Sequence, residues 1–135
     1  MKIFNNRSFS VLEKSLDSLS KNHDAISNNI SNVDTPGYKR EYVSFRSELA
    51  NLLENRNDLA VTNKKHISIN SKDLSTFEGK VLTEENTSTR NDENNVDIDA
   101  EMSMLAKNTL EYQALVQRIS SKFKNLQMVI QQARG

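Results

Sequence analysis

The chain has 135 residues, 36% of them hydrophobic and 6% aromatic, with no tryptophan and no cysteine. Its 18 basic and 18 acidic side chains cancel, which leaves no basic surplus for nucleic acid or an anionic membrane. The absence of thiols excludes disulfides and Cys-ligated metal, and so little apolar mass builds only a small core against the ordering entropy of the chain.

The N-terminal stretch MKIFNNRSFSVLEKSLDS has no continuous apolar run and no small-residue cleavage site, so no cleaved signal peptide is expected. Periodicity begins at Phe9. Phe9, Leu12, Leu16, Leu19, His23, Ile26, Ile30 and Val33 follow alternating steps of three and four, an unbroken heptad seam with His23 as its polar member. A polar residue there either sets register or lies at a partly solvated edge. The helix is predicted to start at Ser8 or Ser10, either of which can serve as N-cap. It should end between Asn32 and Asp34, because Thr35 precedes Pro36 and is pushed toward extended geometry. Thr35-Pro36-Gly37-Tyr38 then reads as a tight turn. Asn28, Asn29 and Asn32 crowd the last helical turns, although asparagine is a mediocre helix former. Their amides can act as local caps on open carbonyls, or bond across to a neighbouring chain.

After the turn, Tyr42, Phe45, Leu49, Leu52 and Leu53 predict a short helix over Ser44 to Glu54. From about Asn55 to Asn95 the chain is polar. TNKKHISIN alternates weakly and suggests a short strand, while LTEENTSTRNDENN has no period and reads as loop. Order returns with Met102, Leu105, Thr109, Tyr112, Val116, Ile119, Phe123, Leu126, Ile130 and Ala133, again in steps of three and four. Asp97 is a good N-cap, and Asp99 and Glu101 suit the positive end of a helix dipole. A helix from Ile98 to Ala133 would be about 54 Å long.

The expected class is therefore all-α, in three parts. Residues 1–34 form an N-terminal helix, 35–95 a turn, a short helix and an irregular linker, and 96–135 a C-terminal helix. The two seams can pack on each other as a hairpin or on other copies and other proteins; periodicity fits both. No catalytic constellation is visible, whether Ser-His-Asp or a glycine-rich phosphate cradle. His66, beside Lys64 and Lys65, lacks a second ligand for a metal. Asn91 to Glu101 superficially suggests a calcium loop, but Asp97 stands where the loop requires glycine. No enzyme activity, cofactor, metal or small-molecule substrate is expected.

The run Ser27-Asn28-Asn29-Ile30-Ser31-Asn32, followed by Thr35-Pro36-Gly37-Tyr38-Lys39, resembles the signature of the bacterial flagellar axial family: the rod, hook and hook-associated proteins. The short chain leaves no room for the extra β domains of hook or distal rod members. The N-terminal FSVLEKSLDSLSKNHDAISNNISNVDTPGYKR and the C-terminal NNVDIDAEMSMLAKNTLEYQALVQRISSKF are similar to proximal rod proteins. The likeness spans roughly Phe9 to Phe45 and Asn94 to Ile130, and the middle matches loosely at Lys64 to Ile67. It implies that the long helices pair as a coiled-coil-like inner domain. It implies a homo-oligomeric rod segment around the export channel, transmitting torque from motor to hook and filament. The partners it implies are the neighbouring rod protein FlgC, the adaptor FliE, the membrane ring and the flagellar type III export apparatus. The site would be the basal body rod in the periplasm, reached without cleavage. Assembly would rest on Ser27, Asn28, Asn29, Ile30, Asn32, Thr35, Pro36, Gly37 and Tyr38 and on the two seams. FlgC shares the SNNISNVDTPGYK pattern and is one alternative; a coiled-coil adaptor of another secretion machine is the other.

Overall fold

The computed structural model describes residues 7–45, 49–50, 79–85 and 91–132. Helix α1 spans Arg7–Ser31 and helix α2 spans Ile98–Gln132. Between them lie two strands, β1 (Glu41–Ser44) and β2 (Lys80–Thr83). At the usual rise α1 is about 37 Å long and α2 about 52 Å. The helices lie antiparallel. Asn29 of α1 meets Glu101 of α2, Asn22 meets Asn108, and Ser8 meets Lys122. Among the described residues no helix is long and apolar enough to cross a membrane.

Local chemistry sets the helix ends. Asp97 Oδ1 accepts hydrogen bonds from the Asp99 and Ala100 amides at 3.0 and 3.2 Å, which starts α2 at Ile98. The last turn of α1 closes when the Asn32 amide donates back to the Asn28 and Asn29 carbonyls. Pro36 and Gly37 then turn the chain. Gly37 holds φ at +73°, and its amide donates to the Asp92 carbonyl at 2.8 Å. That left-handed conformation strains any side chain, whatever the open space around it.

The all-α expectation needs one correction. β1 and β2 form a two-stranded antiparallel sheet, with Glu41 opposite Thr83 and Ser44 opposite Lys80. Ser44, predicted to open a helix, ends β1 instead. Of the expected Ser44–Glu54 helix, the described part holds a helical bond from the Leu49 amide to the Phe45 carbonyl at 2.9 Å; Leu52 and Leu53 lie outside the described residues, as do TNKKHISIN and His66. β2 falls in a stretch expected to be irregular. Strand pairing depends on a distant partner and on packing, so four residues carry little local signal.

The ribbon packs on α1 through a close approach at Gly79. A Cβ placed there would lie 2.8 Å from Ser18 Oγ and 2.9 Å from Val43 Cγ1. Ser18 is buried and Val43 half-buried, so neither yields freely. Gly79→Ala is expected to cost about 1–3 kcal/mol by overpacking. A lowered midpoint in urea denaturation would register it, and an unchanged midpoint would contradict the contact.

The apolar core is small. Leu12, Ala25, Ile26 and Val96 are its buried members among the described residues, beside buried Ser18, Asn29, Asn94, Glu101 and Asn108. On α1, Phe9, Leu16, Leu19 and Ile30 are half-buried and His23 is exposed, and Val33 in the turn that follows is half-buried. On α2, Leu105, Ile119 and Leu126 are half-buried, whereas Met102 (51%), Tyr112 (42%), Val116 (39%), Phe123 (49%) and Ile130 (49%) are exposed. The strip of α2 turned toward α1 is offset from the expected seam. Glu101, Asn108 and Lys122 make polar contacts with α1 and Leu115 is half-buried, each one residue before a predicted seam position.

Candidate functional site

The amide-rich end of α1 is the centre of a buried polar cluster. Asn29 is fully buried and uses its whole carboxamide. Its Nδ2 donates to the Glu41 carbonyl at 2.7 Å and to Glu101 Oε2 at 3.2 Å. Its Oδ1 accepts from the Glu41 amide at 2.8 Å and from the Tyr38 hydroxyl at 3.2 Å. One side chain thus ties α1 to the turn, to β1 and to α2. Burial, followed by the charges of Glu41 and Glu101, pushes the Tyr38 hydroxyl above its ordinary pKa, so it stays a donor.

Arg40 completes the cluster. Its Nε donates to Glu101 Oε1 and its Nη1 to Glu84 Oε2 at 3.1 Å. Its Nη2 reaches Met104 Sδ at 3.1 Å. Burial works to lower the guanidinium pKa. The hydrogen bonds and charges of Glu101 and Glu84 outweigh it, so the pKa is raised and Arg40 stays charged. The Arg40 backbone amide donates to Asn95 Oδ1 at 2.6 Å, and Asn95 Nδ2 donates to the Glu84 carbonyl at 2.7 Å. Asn94, also fully buried, donates through Nδ2 to the carbonyls of Asn32, Val33 and Thr35 at 2.9–3.0 Å. It is a cap for the end of α1 supplied from 62 residues away.

The three signature asparagines therefore differ in role. Asn29 is internal. Asn32 is a local cap, its Nδ2 on the Asn28 carbonyl at 2.8 Å and its Oδ1 accepting from Thr35 Oγ1 at 3.1 Å. Asn28 is exposed. Ser27 is half-buried and bonds the His23 carbonyl of its own helix at 2.8 Å. Ile30 is half-buried, while Thr35, Pro36 and Gly37 stay on the surface. Sequence reasoning placed Asn29 and Tyr38 in the site and missed Arg40, Glu84, Asn94, Asn95 and Glu101 as members. One signal was present: Glu101 and Asn108 are polar, one heptad apart, and each directly precedes a position of the predicted seam.

Two shallow grooves follow the α1–α2 boundary. Leu19, Ser20, His23, Asn108, Thr109 and Tyr112 line one; Phe9, Glu13, Leu16, Asp17, Ile119 and Phe123 line the other. At the second, the Phe9 and Phe123 rings are 5.4 Å apart at 54°, and Lys122 Nζ stands 5.2 Å from the Phe9 ring centre. Among the described residues no group of three or more His, Asp or Glu is placed to hold a metal ion.

A satisfied polar cluster beside an uncovered apolar helix face fits a part built to assemble, and the comparisons with known proteins agree. Residues 13–39 match the family model described as flagella basal body rod protein. The chain is similar to flagellar basal body rod protein FlgB of Bacillus subtilis, 36% identical over 88% of this chain and 89% of the relative. It is 38% identical to FlgB of Borreliella burgdorferi, over 92% of this chain and 96% of that one. FlgB of Proteus mirabilis is 33% identical, over 92% and 93% of the two chains. With such identity along nearly its whole length, the chain belongs to the FlgB family of flagellar basal body rod proteins.

Proposed function

We propose that the chain is a structural subunit of the proximal rod that polymerises around the export channel through the open side of α2, its paired helices forming the inner layer. The observation that carries this reading is the row Met102, Val116, Phe123 and Ile130, apolar at a seven- or fourteen-residue step and 39–51% exposed. A row of that length on a single chain marks a contact with something else. In the assembled rod the helices carry torque from motor to hook and filament. Copies of this chain, FlgC, FliE and the membrane ring are its neighbours. The chain reaches the periplasm through the flagellar type III export apparatus without cleavage.

Val116→Asp tests the surface at an exposed residue that lines neither of the two grooves described along the α1–α2 boundary. The helix is expected to stay folded, within about 0.5 kcal/mol of the parent. A carboxylate in each copy of a desolvated subunit contact costs several times that, on the order of 2–5 kcal/mol. Cells whose only copy carries Val116→Asp should make the protein but lack rods and motility. Ser121 is exposed, and its Oγ bonds the Gln117 carbonyl of its own helix. Ser121→Asp should leave swimming intact. Electron microscopy of basal bodies compares the two; intact rods with Val116→Asp, or equal damage from both, would reject the α2 face as the assembly surface.

A further inference from the structure

Beside the apolar seam runs a second row with the same seven-residue period. On α1 it is Ser8, Ser15, Asn22 and Asn29; on α2 it is Glu101, Asn108, Leu115 and Lys122. The two rows meet at three levels. Asn29 Nδ2 lies 3.2 Å from Glu101 Oε2. Asn22 Nδ2 lies 3.0 Å from Asn108 Oδ1, and Asn108 Nδ2 donates in turn to the Leu19 carbonyl at 3.0 Å. Lys122 Nζ donates to Ser8 Oγ. Glu101 and Asn108 are buried, at 0% and 4% exposure.

The apolar seam cannot choose a register by itself. Leu12, Leu19 and Ile26 repeat every seven residues on α1, as Leu105, Tyr112, Ile119 and Leu126 do on α2. Sliding α2 by one heptad, about 10 Å, sets apolar residues against apolar residues again. The polar row does not survive that slide. Leu115 would face Asn22 and leave its amide unpaired, and Glu101 would pass the end of α1 and leave Arg40. Buried polar groups at helix contacts are known to trade stability for register.

We propose that this polar row fixes the register of α2 against α1, and with it the position of the Val116–Phe123 face relative to the turn and the ribbon. Its members are positioning residues: they touch no partner themselves, but a slid helix would present the docking row one heptad out of place.

The 135-residue chain has no cysteine, so engineered pairs are its only thiols. Phe9→Cys with Phe123→Cys reports the observed register, in which these rings are 5.4 Å apart. Leu16→Cys with Phe123→Cys reports the register slid by one heptad and should not close in the parent, because two further turns exceed the reach of a disulfide. In a chain also carrying Asn22→Leu, Asn108→Leu and Glu101→Gln, the slid pair is expected to form with a yield raised about tenfold or more. A yield that stays at the parent level would overturn the proposal, since the apolar packing would then be choosing the register. Asn22→Leu with Asn108→Leu alone swaps a partly buried amide pair for an apolar one and should keep the helical circular dichroism of the parent. Loss of helix there would also overturn it, because the amides would then be holding the fold rather than selecting an alignment. Both readouts are intramolecular and do not depend on rod assembly.

Discussion

Asn29→Leu is expected to destabilise the chain by about 4 kcal/mol, through lost hydrogen bonds and not through volume. Leucine fills nearly the same space. It leaves the Glu41 amide and the Tyr38 hydroxyl without this acceptor, and the Glu41 carbonyl and Glu101 without this donor. Asn29 is fully buried, so water cannot take over. Asn29→Asp keeps the acceptor but sets a second carboxylate beside Glu101. Its like charge and its burial would raise the new group's pKa, so the defect should be worst at neutral pH and ease in mild acid as the carboxyl protonates and donates again. Asn28→Leu, one residue earlier and exposed, should stay within about 0.5 kcal/mol of the parent. Urea denaturation followed by circular dichroism ranks the three; equal midpoints for the Asn28 and Asn29 leucine variants would show that the cluster contributes nothing to stability.

The second large effect is expected at Ile119. Its side chain lines the groove with Phe9, Leu16 and Phe123, and the acidic residues Glu13 and Asp17 stand on the same wall. Ile119→Asp removes apolar contact and adds a negative charge next to two others. The cost should be about 2–4 kcal/mol, enough to loosen this end of the helix pair. Ile119→Lys removes the same contact but offers the acids an opposite charge, and its long stem can cover part of the apolar wall. It should be clearly milder than the aspartate. Thermal unfolding of both variants decides the matter; a lysine variant as unstable as the aspartate variant would mean that Glu13 and Asp17 do not shape the groove. This change differs in kind from Val116→Asp, which is expected to spare the fold and strike assembly.

The parts of the fold legible in the sequence are those with local causes. The apolar steps of three and four announced both helices, Asp97 announced the start of α2, and Pro36-Gly37 announced the end of α1. The candidate site was legible at Asn29 and Tyr38 alone, because its other members come from far along the chain. Arg40 and Glu101 are 61 residues apart, and Asn94 caps carbonyls 59 to 62 residues before it. The β1–β2 register is equally non-local, and four-residue strands announce themselves weakly. The offset of α2 has another cause. Met102 and Val116 repeat at the heptad step yet stay exposed, and Phe123 meets Phe9 with half its surface still open, so a helix with two apolar duties reads in sequence as a helix with one.

The antiparallel ribbon carries an evolutionary consequence. Ser44 and Lys80 are paired directly across it, so the chain between them begins and ends at points about 5 Å apart. A segment whose ends are held so close can lengthen at an entropic cost that grows only with the logarithm of its length. Insertions between these two ends would leave the helix pair its geometry. One inner scaffold could thereby diversify into parts of many sizes, and the same segment is the place to graft a tag or reporter into this chain.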